Sequence, residues 1–363
     1  MNWLKTIGMK LRTLGRSFFE SEKNDRIFRG YFDGIELRAN ELVVSGWALS
    51  RSGPYDSLVL YINGQEQPAS EAVLRPDVGR GLPDIPHSDR SGFRFSIPWK
   101  SADREAKVDI RLACLRGERE ADSMETVFWG DMYDSTPTPP LKLIKRVDGS
   151  ESPTFYLLKG AQNYREFIRL IEAYADISSC STLLDWGCGS GRITGFFLRH
   201  SNIPHIYGCD IDAEAVKWAQ EHFPEGHFAA IPLLPPTEYG SDQFDAIISF
   251  SVLTHLDRET QNAWLAEMQR ILKPGGLFLA TVHGVKAAEV LLSKREFKKF
   301  KRHGIHDGLR DRVLEGVAPD DYYRASFQSK DYIIKNWKIF FEILDIVEQG
   351  ASHYHDIAVM RKR

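Results

Sequence analysis

Hydrophobic residues at the start of the chain recur every three or four positions. They are Trp3, Ile7, Leu11, Leu14 and Phe18, and the basic residues among them are Lys5, Lys10, Arg12 and Arg16. This spacing predicts an amphipathic helical segment over residues 1–26, of the kind that lies on anionic membrane surfaces. A helix packed on its own protein or on a second copy produces the same stripe, so both interpretations stay open.

From residue 27 to residue 133 the hydrophobic pattern changes to a period of two. The segments that alternate or run apolar are Leu42–Leu49, Ser57–Asn63, Phe93–Pro98 and Val108–Leu115. Turn-forming residues separate them, and Asn63-Gly64 is typical of a tight hairpin turn. Short strands with frequent turns predict a small all-β sandwich domain in this region.

A proline-rich run, Asp134–Pro140, follows and predicts an inter-domain linker over residues 134–141. Beyond it, short apolar segments alternate with amphipathic ones. Strands are expected at Thr182–Asp185, His205–Asp210, Phe244–Phe250 and Leu277–Val282, and helices at Asn163–Ala175, Gly191–His200, Ala213–His222 and Thr260–Leu272. Such alternation predicts an α/β domain over residues 142–363, with a doubly wound, mainly parallel sheet. Phe340–Glu348 and Asp356–Arg361 are expected to add a terminal antiparallel hairpin.

Composition narrows the function classes. The 363 residues contain 47 Lys or Arg and 50 Asp or Glu, a formal net charge of −3, which argues against a nucleic-acid partner. The cysteines Cys114, Cys180, Cys188 and Cys209 lack the spacing of a zinc site or disulfide scaffold, so we expect reduced thiols and no metal. Without a signal-peptide pattern or a long apolar run, the expected location is cytoplasmic, with peripheral contact at the inner membrane face through residues 1–26.

Three glycines follow the first strand of the α/β domain. Gly187, Gly189 and Gly191 stand at alternate positions before a helix, and Asp185 precedes them. Glycine permits a sharp turn and a close approach of backbone to a ligand. The spacing is G-x-G-x-G, which differs from the G-x-G-x-x-G of dinucleotide-binding folds. Asp210, at the end of the second strand, is suited to accept hydrogen bonds from two ribose hydroxyls.

The run Leu184-Asp185-Trp186-Gly187-Cys188-Gly189-Ser190-Gly191 resembles the cofactor-binding signature of class I S-adenosylmethionine-dependent methyltransferases. Further features match that family in the same order: Gly208-Cys209-Asp210-Ile211-Asp212, Phe244-Asp245-Ala246-Ile247-Ile248, Leu272-Lys273-Pro274-Gly275-Gly276 and the terminal hairpin. The resemblance covers the chain from about Tyr164 to its end and implies S-adenosyl-L-methionine as the cofactor.

The resemblance also implies roles for individual residues. The backbone of Gly187, Cys188 and Gly189, in the turn that Gly191 completes, would contact the methionine part of the cofactor. Asp185 would hold its amino group and Asp210 its ribose. Around the adenine and the methyl group the implied residues are Ile211, Ile231, Phe250 and Ser251. No carboxylate follows the third strand, so the contact to the adenine amine is expected to fall to a backbone carbonyl.

Two histidines follow the fourth and fifth strands, where the mouth of the cofactor cleft is expected. His255 is the first candidate general base for a hydroxyl acceptor, and His283 is the second. A helix-capping role for His255 and a packing role for His283 remain open. Thr254, beside His255, is expected to contact the acceptor.

An insertion between the fifth strand and the hairpin, residues 285–328, is predicted to form a basic lid. Its charges are Lys294, Arg295, Lys298, Lys299, Lys301, Arg302, Arg310 and Arg312. Tyr323, Arg324 and Phe327 are candidate acceptor contacts near its end. An ordinary solvated helix face gives the same charge pattern.

The segment Ser251–Leu256 resembles one in bacterial methyltransferases of glycan assembly, and the β-rich module resembles a small domain found beside bacterial glycosyltransferases. Val44–Ala48, Arg75–Val78 and Ser91–Phe93 carry the second likeness. We therefore expect O-methylation of a saccharide or glycolipid, with glycosyltransferases or other glycan-assembly proteins as partners. A small non-sugar hydroxyl or amine acceptor, or a non-catalytic scaffold, remain the alternatives.

Overall fold

The computed structural model describes residues 28–38, 40–99, 106–149, 151–310, 317–319 and 322–363. The amphipathic segment predicted for residues 1–26 lies outside these residues. The chain divides into two compact units, Met1–Gln162 and Asn163–Arg363.

The described part of the first unit contains two antiparallel sheets. Their strands are β1 (Arg29–Arg38), β2 (Glu41–Ser50), β3 (Gly53–Pro54), β4 (Ser57–Ile62), β5 (Gln65–Glu66), β6 (Glu71–Val73), β7 (Gly92–Pro98), β8 (Lys107–Arg116) and β9 (Arg119–Trp129). One sheet has the order β1-β2-β7-β6, with β3 paired to β2, and the other has the order β5-β4-β8-β9. The β-rich module is thus present, and its closure into a sandwich stays a prediction.

Short helices complete this unit: α1 (Pro76–Gly81), α2 (Met132–Ser135) and α3 (Leu141–Asp148). The proline-rich segment lies between α2 and α3, within the first unit rather than at its edge, while the finer domain limits stay predictions. Trp47 is 3% exposed and clusters with Leu49, Val78 and Leu82, so its ring is part of the core. Arg75 bridges Asp33 and Asp77, which fixes the start of α1 against β1.

Helix α4 (Pro153–Tyr174) contains the boundary between the units and begins ten residues earlier than the predicted helix. The second unit then alternates strand and helix. Its elements are β10 (Thr182–Trp186), α5 (Thr194–His200), β11 (His205–Asp210), α6 (Ala213–His222), β12 (His227–Ala230), β13 (Phe244–Ser249), α7 (Arg258–Ile271), β14 (Leu272–Val282), α8 (Val285–Leu291), α9 (Lys294–His303), β15 (Ile305–Arg310), β16 (Arg324–Gln328), α10 (Lys330–Trp337), β17 (Glu342–Ala351) and β18 (His355–Arg361).

The large sheet of this unit has the order β12-β11-β10-β13-β14-β18-β17. Strands β10 to β14 pair in parallel, while β18 pairs antiparallel with β14 and with β17. This is the mixed sheet, with its terminal hairpin, that the alternating pattern predicts. The carboxyl ends of β10, β11, β13 and β14 meet along one edge, where ligands of open α/β sheets bind.

A carboxylate joins the parallel strands at their amino-terminal ends, opposite the ligand-binding ends. Asp245 in β13 accepts hydrogen bonds from the backbone and hydroxyl groups of Ser181 and Thr182, and Lys273 Nζ donates to its other oxygen at 2.8 Å. Burial alone would raise the pKa of Asp245, but the Lys273 ammonium and these hydrogen bonds outweigh it and hold the pKa at about 2. Asp245 therefore ties the starts of β10, β13 and β14 together.

The described part of the predicted lid insertion packs around a second small core. Helices α8 and α9 pack with the β15-β16 hairpin through Ala287, Leu292, Phe300 and Phe327. Phe327 bridges to His283 at the end of β14, and Gln328 N–H donates to the His283 carbonyl oxygen at 2.9 Å. The insertion is thereby joined to the edge of the large sheet. Within the described residues, no helix is long and apolar enough to cross a membrane.

Candidate functional site

The glycine run forms a tight turn at the end of β10. Gly187, Gly189 and Gly191 have φ angles of +84°, +54° and +80°, which favour glycine over any other residue. A Cβ atom on Gly187 would lie 2.1 Å from Val252 Cγ2. The absence of a side chain at Gly187 therefore lets the loop after β13 approach the turn.

Backbone hydrogen bonds hold this turn on the second strand. Gly187 N–H and Cys188 N–H both donate to the Cys209 carbonyl oxygen, at 2.8 and 3.1 Å. Gly189 N–H donates to Asp210 Oδ2 at 2.8 Å. These hydrogen bonds fix the conformation of the turn within the protein itself. The three N–H groups already have hydrogen-bond partners inside the protein.

Asp185 lies beneath the turn, at the end of β10. Its carboxylate is 1% exposed and accepts a hydrogen bond from Thr194 Oγ1 at 2.7 Å. Burial raises the pKa of Asp185 to about 6, against the Thr194 hydrogen bond and the attraction of Arg192, and the charge of Asp210 raises it further. This carboxylate is poorly compensated, so a ligand that brings positive charge would stabilise its ionised form.

Asp210 ends β11 on the same edge. Its Oδ2 takes the Gly189 N–H, and its Oδ1 accepts from Asp212 N–H at 2.8 Å. Burial raises the pKa of Asp210, although these backbone hydrogen bonds oppose the shift. A carboxylate has about four lone-pair sites, so two remain for hydroxyl donors. Asp212 caps α6 by accepting from Glu214 N–H and Ala215 N–H, and Ile211 lies between the two aspartates.

Other predicted cofactor residues surround these carboxylates. The Cys188 side chain is 5% exposed and belongs to a buried cluster with Val216 and Phe228, so only its backbone is available to a ligand. Ile231 N–H donates to the Asp210 carbonyl oxygen at 2.9 Å, which places Ile231 next to the ribose site. The following loop is held at the Leu233 carbonyl oxygen, which accepts from the Trp264 indole and the Tyr322 hydroxyl.

Ser251 turns the chain after β13 with a positive φ of 62°. Its N–H donates to Thr281 Oγ1 at 2.7 Å. Its Oγ lies 2.9 Å from Thr254 Oγ1 and 3.2 Å from His255 Nε2. This network joins the ends of β13 and β14 and gives one ring nitrogen of His255 a defined partner.

The two predicted catalytic histidines lie near each other, with ring centroids 6.2 Å apart. The Tyr323 ring stacks on His255 at 4.4 Å with an interplanar angle of 11°. His283 stacks between Phe327 at 5.2 Å and His355 at 5.0 Å. Burial lowers the pKa of His283 well below its usual value, and the nearby His355 and His255 lower it further. His283 is therefore neutral at physiological pH and a weak base.

Three residues that sequence reasoning missed complete the rim. The His355 ring, at the start of β18, has its centroid 5.2 Å from that of Phe250, and the Tyr354 ring has its centroid 5.5 Å from that of His283. The Arg192 guanidinium lies 4.9 Å from the Phe250 ring centroid. Arg192 directly follows the glycine run, which is a signal for a site position. His355 and Tyr354 reach the rim only because β18 inserts beside β14, which sequence spacing does not reveal.

Two of the residues predicted to contact the acceptor are not exposed. Thr254 and Phe327 are fully buried: Thr254 bonds to Ser251, and Phe327 joins the core of the insertion and stacks on His283. Both side chains lie behind the rim, where Thr254 contacts Ser251 and Phe327 contacts His283. Tyr323 and Arg324 are partly exposed beside His255 and at the start of β16. Among the residues that the structure describes, no cluster of His, Cys, Asp or Glu side chains is arranged to hold a metal ion.

Comparisons with known proteins agree with this geometry. Residues 184–280 match the family model described as a methyltransferase domain. The chain is 33% identical over 108 residues to a cyclopropane-fatty-acyl-phospholipid synthase of Escherichia coli, covering 30% of this chain and 28% of the relative. It is 30% identical over 217 residues to a mitochondrial ubiquinone biosynthesis O-methyltransferase of Candida albicans, covering 56% and 62%.

A solved S-adenosylmethionine-dependent methyltransferase from Methanosarcina mazei is also similar. It is 20% identical, its match covers 53% of this chain and 96% of that one, and the TM-score is 0.41. The chain spans about a quarter to three fifths of the two curated relatives it matches. The second unit therefore combines a Rossmann-like mixed sheet with a match to a methyltransferase-domain model over residues 184–280, which supports the expected cofactor, S-adenosylmethionine.

Proposed function

We propose that the protein is an S-adenosylmethionine-dependent O-methyltransferase that methylates a sugar hydroxyl of a surface glycan or lipid-linked saccharide. One juxtaposition carries the proposal. The glycine turn with Asp185 and Asp210 occupies the same sheet edge as a rim of three histidines, His255, His283 and His355.

The residues present fit the cofactor. Asp185 is a buried carboxylate whose raised pKa shows that its charge is poorly compensated, and the cofactor carries both an ammonium and a sulfonium. Asp210 retains acceptor sites for two ribose hydroxyls beside Ile231. Burying a charge is favourable only when it is paired, so cofactor binding and ionisation of Asp185 should support each other.

When bound, S-adenosylmethionine supplies an electrophilic methyl carbon. Its methyl group would pass to the acceptor oxygen as the carbon–sulfur bond broke, S-adenosylhomocysteine would be released, and a base of the protein would take the hydroxyl proton. Holding the acceptor in line accounts for much of the rate enhancement in such transfers. Arg192, directly after the glycine turn, contacts the Phe250 ring, which in turn contacts His355 on the rim.

His255 is the proposed base. Its Nε2 lies 3.2 Å from Oγ of Ser251, in the loop that follows β13, so the proton can reach it directly or through that hydroxyl. The stacked Tyr323 ring keeps the imidazole plane fixed. Neutral His283 is better suited to orient the acceptor than to hold its proton.

Support for a saccharide acceptor comes from the polar and aromatic character of the rim and from the sequence likeness of Ser251–Leu256 to glycan-assembly enzymes. Partly exposed Tyr323 and Arg324 offer a ring face and hydrogen-bond donors to a sugar. We further propose that the β-rich first unit binds glycosyltransferases or other glycan-assembly proteins. The enzyme would work in the cytoplasm, at the inner face of the membrane.

Substituting His255 by Ala tests the mechanism. We expect methyl transfer from radiolabelled S-adenosylmethionine to glycan and lipid-linked saccharide fractions to fall at least 100-fold, in the range that general bases contribute. Affinity for S-adenosylhomocysteine should stay within a few-fold. His222→Ala, an exposed histidine on α6, is the control and should keep full turnover. Undiminished transfer by His255→Ala would remove this residue from the mechanism.

A further inference from the structure

Helix α9 carries the densest positive charge in the insertion. Its ten residues include six Lys or Arg residues and one Glu, in a chain whose net charge is −3. The exposed members are Lys294, Arg295, Lys298, Lys299, Lys301 and Arg302. We call this the α9 surface.

The single acid on the helix does not neutralise the α9 surface. Glu296 and Ser293 form a reciprocal capping box, in which Glu296 Oε2 accepts from the Ser293 hydroxyl and N–H. Arg295, Lys298 and Arg302 form no ion pair with a carboxylate in the described part of the chain. Lys301 Nζ lies 5.7 Å from the Phe297 ring centroid, a favourable contact that adds no negative charge to the surface.

Like charges on this helix oppose its folding. Lys294 and Lys298, Arg295 and Lys299, and Lys298 and Arg302 are each four residues apart, a spacing at which like charges repel across one turn. The capping box, and Phe300 buried against the insertion core, hold the helix in spite of this. An anionic partner would relieve the repulsion, so the charge pattern has a use beyond solubility.

Helix α9 is connected to the candidate active site through packed side chains. Phe300 on the inner side of α9 shares a buried cluster with Phe327, and the Phe327 ring stacks on His283 at 5.2 Å. A partner bound to α9 would therefore lie against the same small core that contacts His283.

We propose that the α9 surface docks the protein onto an anionic lipid bilayer. The charges spread over a helix of about 15 Å, and all six basic side chains are exposed, so they form an extended array. Such a diffuse array suits the repeated, singly charged headgroups of a membrane. The proposal does not rest on the methyltransferase reaction, although a membrane-held acceptor would then be presented beside the cleft.

Vesicle binding by the full chain tests this. The triple variant Arg295→Gln, Lys298→Gln, Arg302→Gln is compared with a matched triple, Lys217→Gln, Lys335→Gln, Lys338→Gln, which removes three exposed charges from α6 and from the α10 region. Sedimentation with phosphatidylglycerol–phosphatidylcholine vesicles, with pure phosphatidylcholine vesicles and with a 20-base-pair DNA duplex supplies the three arms. Circular dichroism checks that each variant is folded.

The wild-type chain should bind the anionic vesicles, release them as salt rises, and ignore pure phosphatidylcholine. Each basic residue near an anionic surface strengthens binding about fivefold, so the α9 triple should weaken it at least tenfold and the control triple much less. Three results would overturn the proposal: no binding to anionic vesicles at low salt, equal losses from both triples, or binding of the duplex through α9 without binding of vesicles. A methyltransferase that fails this test would still bind S-adenosylhomocysteine.

Discussion

At the scale of single residues, the site depends on two carboxylates held in the interior. Asp185 and Asp210 end neighbouring strands, and burial raises the pKa of both. Neighbouring groups donate hydrogen bonds to each carboxylate. Asp185 accepts from the Thr194 hydroxyl, and Asp210 accepts from the backbone N–H groups of Gly189 and Asp212. Neither has a lysine partner among the described residues that would make its charge a purely structural feature. Their arrangement is explained by a ligand that carries positive charge and hydroxyl groups.

Affinity for S-adenosylhomocysteine should therefore depend on pH. The free-state pKa of Asp185 is about 6, and the ligand's ammonium favours the ionised form. Affinity is then full above pH 7 and falls as pH drops through 6, by up to about tenfold per unit. Calorimetric titrations between pH 5 and pH 8 measure this.

Asp185→Asn provides the matched variant, since its amide oxygen still accepts from Thr194. It should bind more weakly at pH 7.5. Its remaining pH dependence should move to lower pH, because Asp210 then lacks its charged neighbour. A variant whose profile coincides with that of the wild type would show that Asp185 does not contact the ligand.

At the scale of elements, the turn after β10 and the loop after β13 fit each other only because Gly187 has no side chain. Gly187→Ala should destabilise the protein through both its positive φ and the contact with Val252. Gly275→Ala is the control, since its φ of +79° is similar but a Cβ there meets nothing within 4 Å.

We expect Gly275→Ala to lose about 1 kcal/mol of unfolding free energy and Gly187→Ala clearly more, with at least tenfold weaker binding of S-adenosylhomocysteine. Adding Val252→Ala should recover part of the loss. Urea denaturation and calorimetry measure both quantities. Equal losses from the two glycine substitutions would show that the packing against Val252 is unimportant.

Asp245 acts at the opposite end of the same strands. The folded state lowers the pKa of Asp245 to about 2, from an ordinary value of 3.8, so its contribution to stability is present above pH 4 and is lost as pH falls through 2. Asp245→Asn should reduce the free energy of unfolding at pH 7 by about 2 kcal/mol.

The difference between this variant and the wild type should shrink as the pH of urea denaturation falls from 4 towards 2. Lys273→Gln and the double variant complete a cycle that isolates the ion pair. A difference that does not change with pH would mean that the carboxylate charge contributes nothing.

The sequence predicts the elements of the second unit well where one physical signal dominates. Strand β11 and helix α6 have the predicted bounds, since apolar runs and the Asp212 cap mark them clearly. No element was predicted over residues 153–162, so α4 begins ten residues before the predicted helix. The rim residues His355 and Tyr354 could not be predicted, since only the strand order β14-β18-β17 brings them to His283.

At the scale of the whole molecule, the chain divides into two compact units. The second unit contains every candidate cofactor and acceptor residue, together with the α9 surface. The first unit is β-rich, and its Trp47 and Arg75 are used in its own core and its own ion pairs. Every candidate for catalysis and for membrane docking therefore belongs to the second unit, and the binding of glycan-assembly proteins by the first unit stays a proposal.

The most direct test of the central claim is calorimetric titration of the full chain with S-adenosylhomocysteine. We expect one site of micromolar affinity, weakened at least tenfold in Asp210→Ala, because that substitution removes the ribose acceptor and the anchor of Gly189. Glu225→Gln, an exposed acid on the loop after α6, should bind as the wild type does. No heat of binding at millimolar ligand, from protein shown to be folded, would contradict the claim and favour a non-catalytic scaffold.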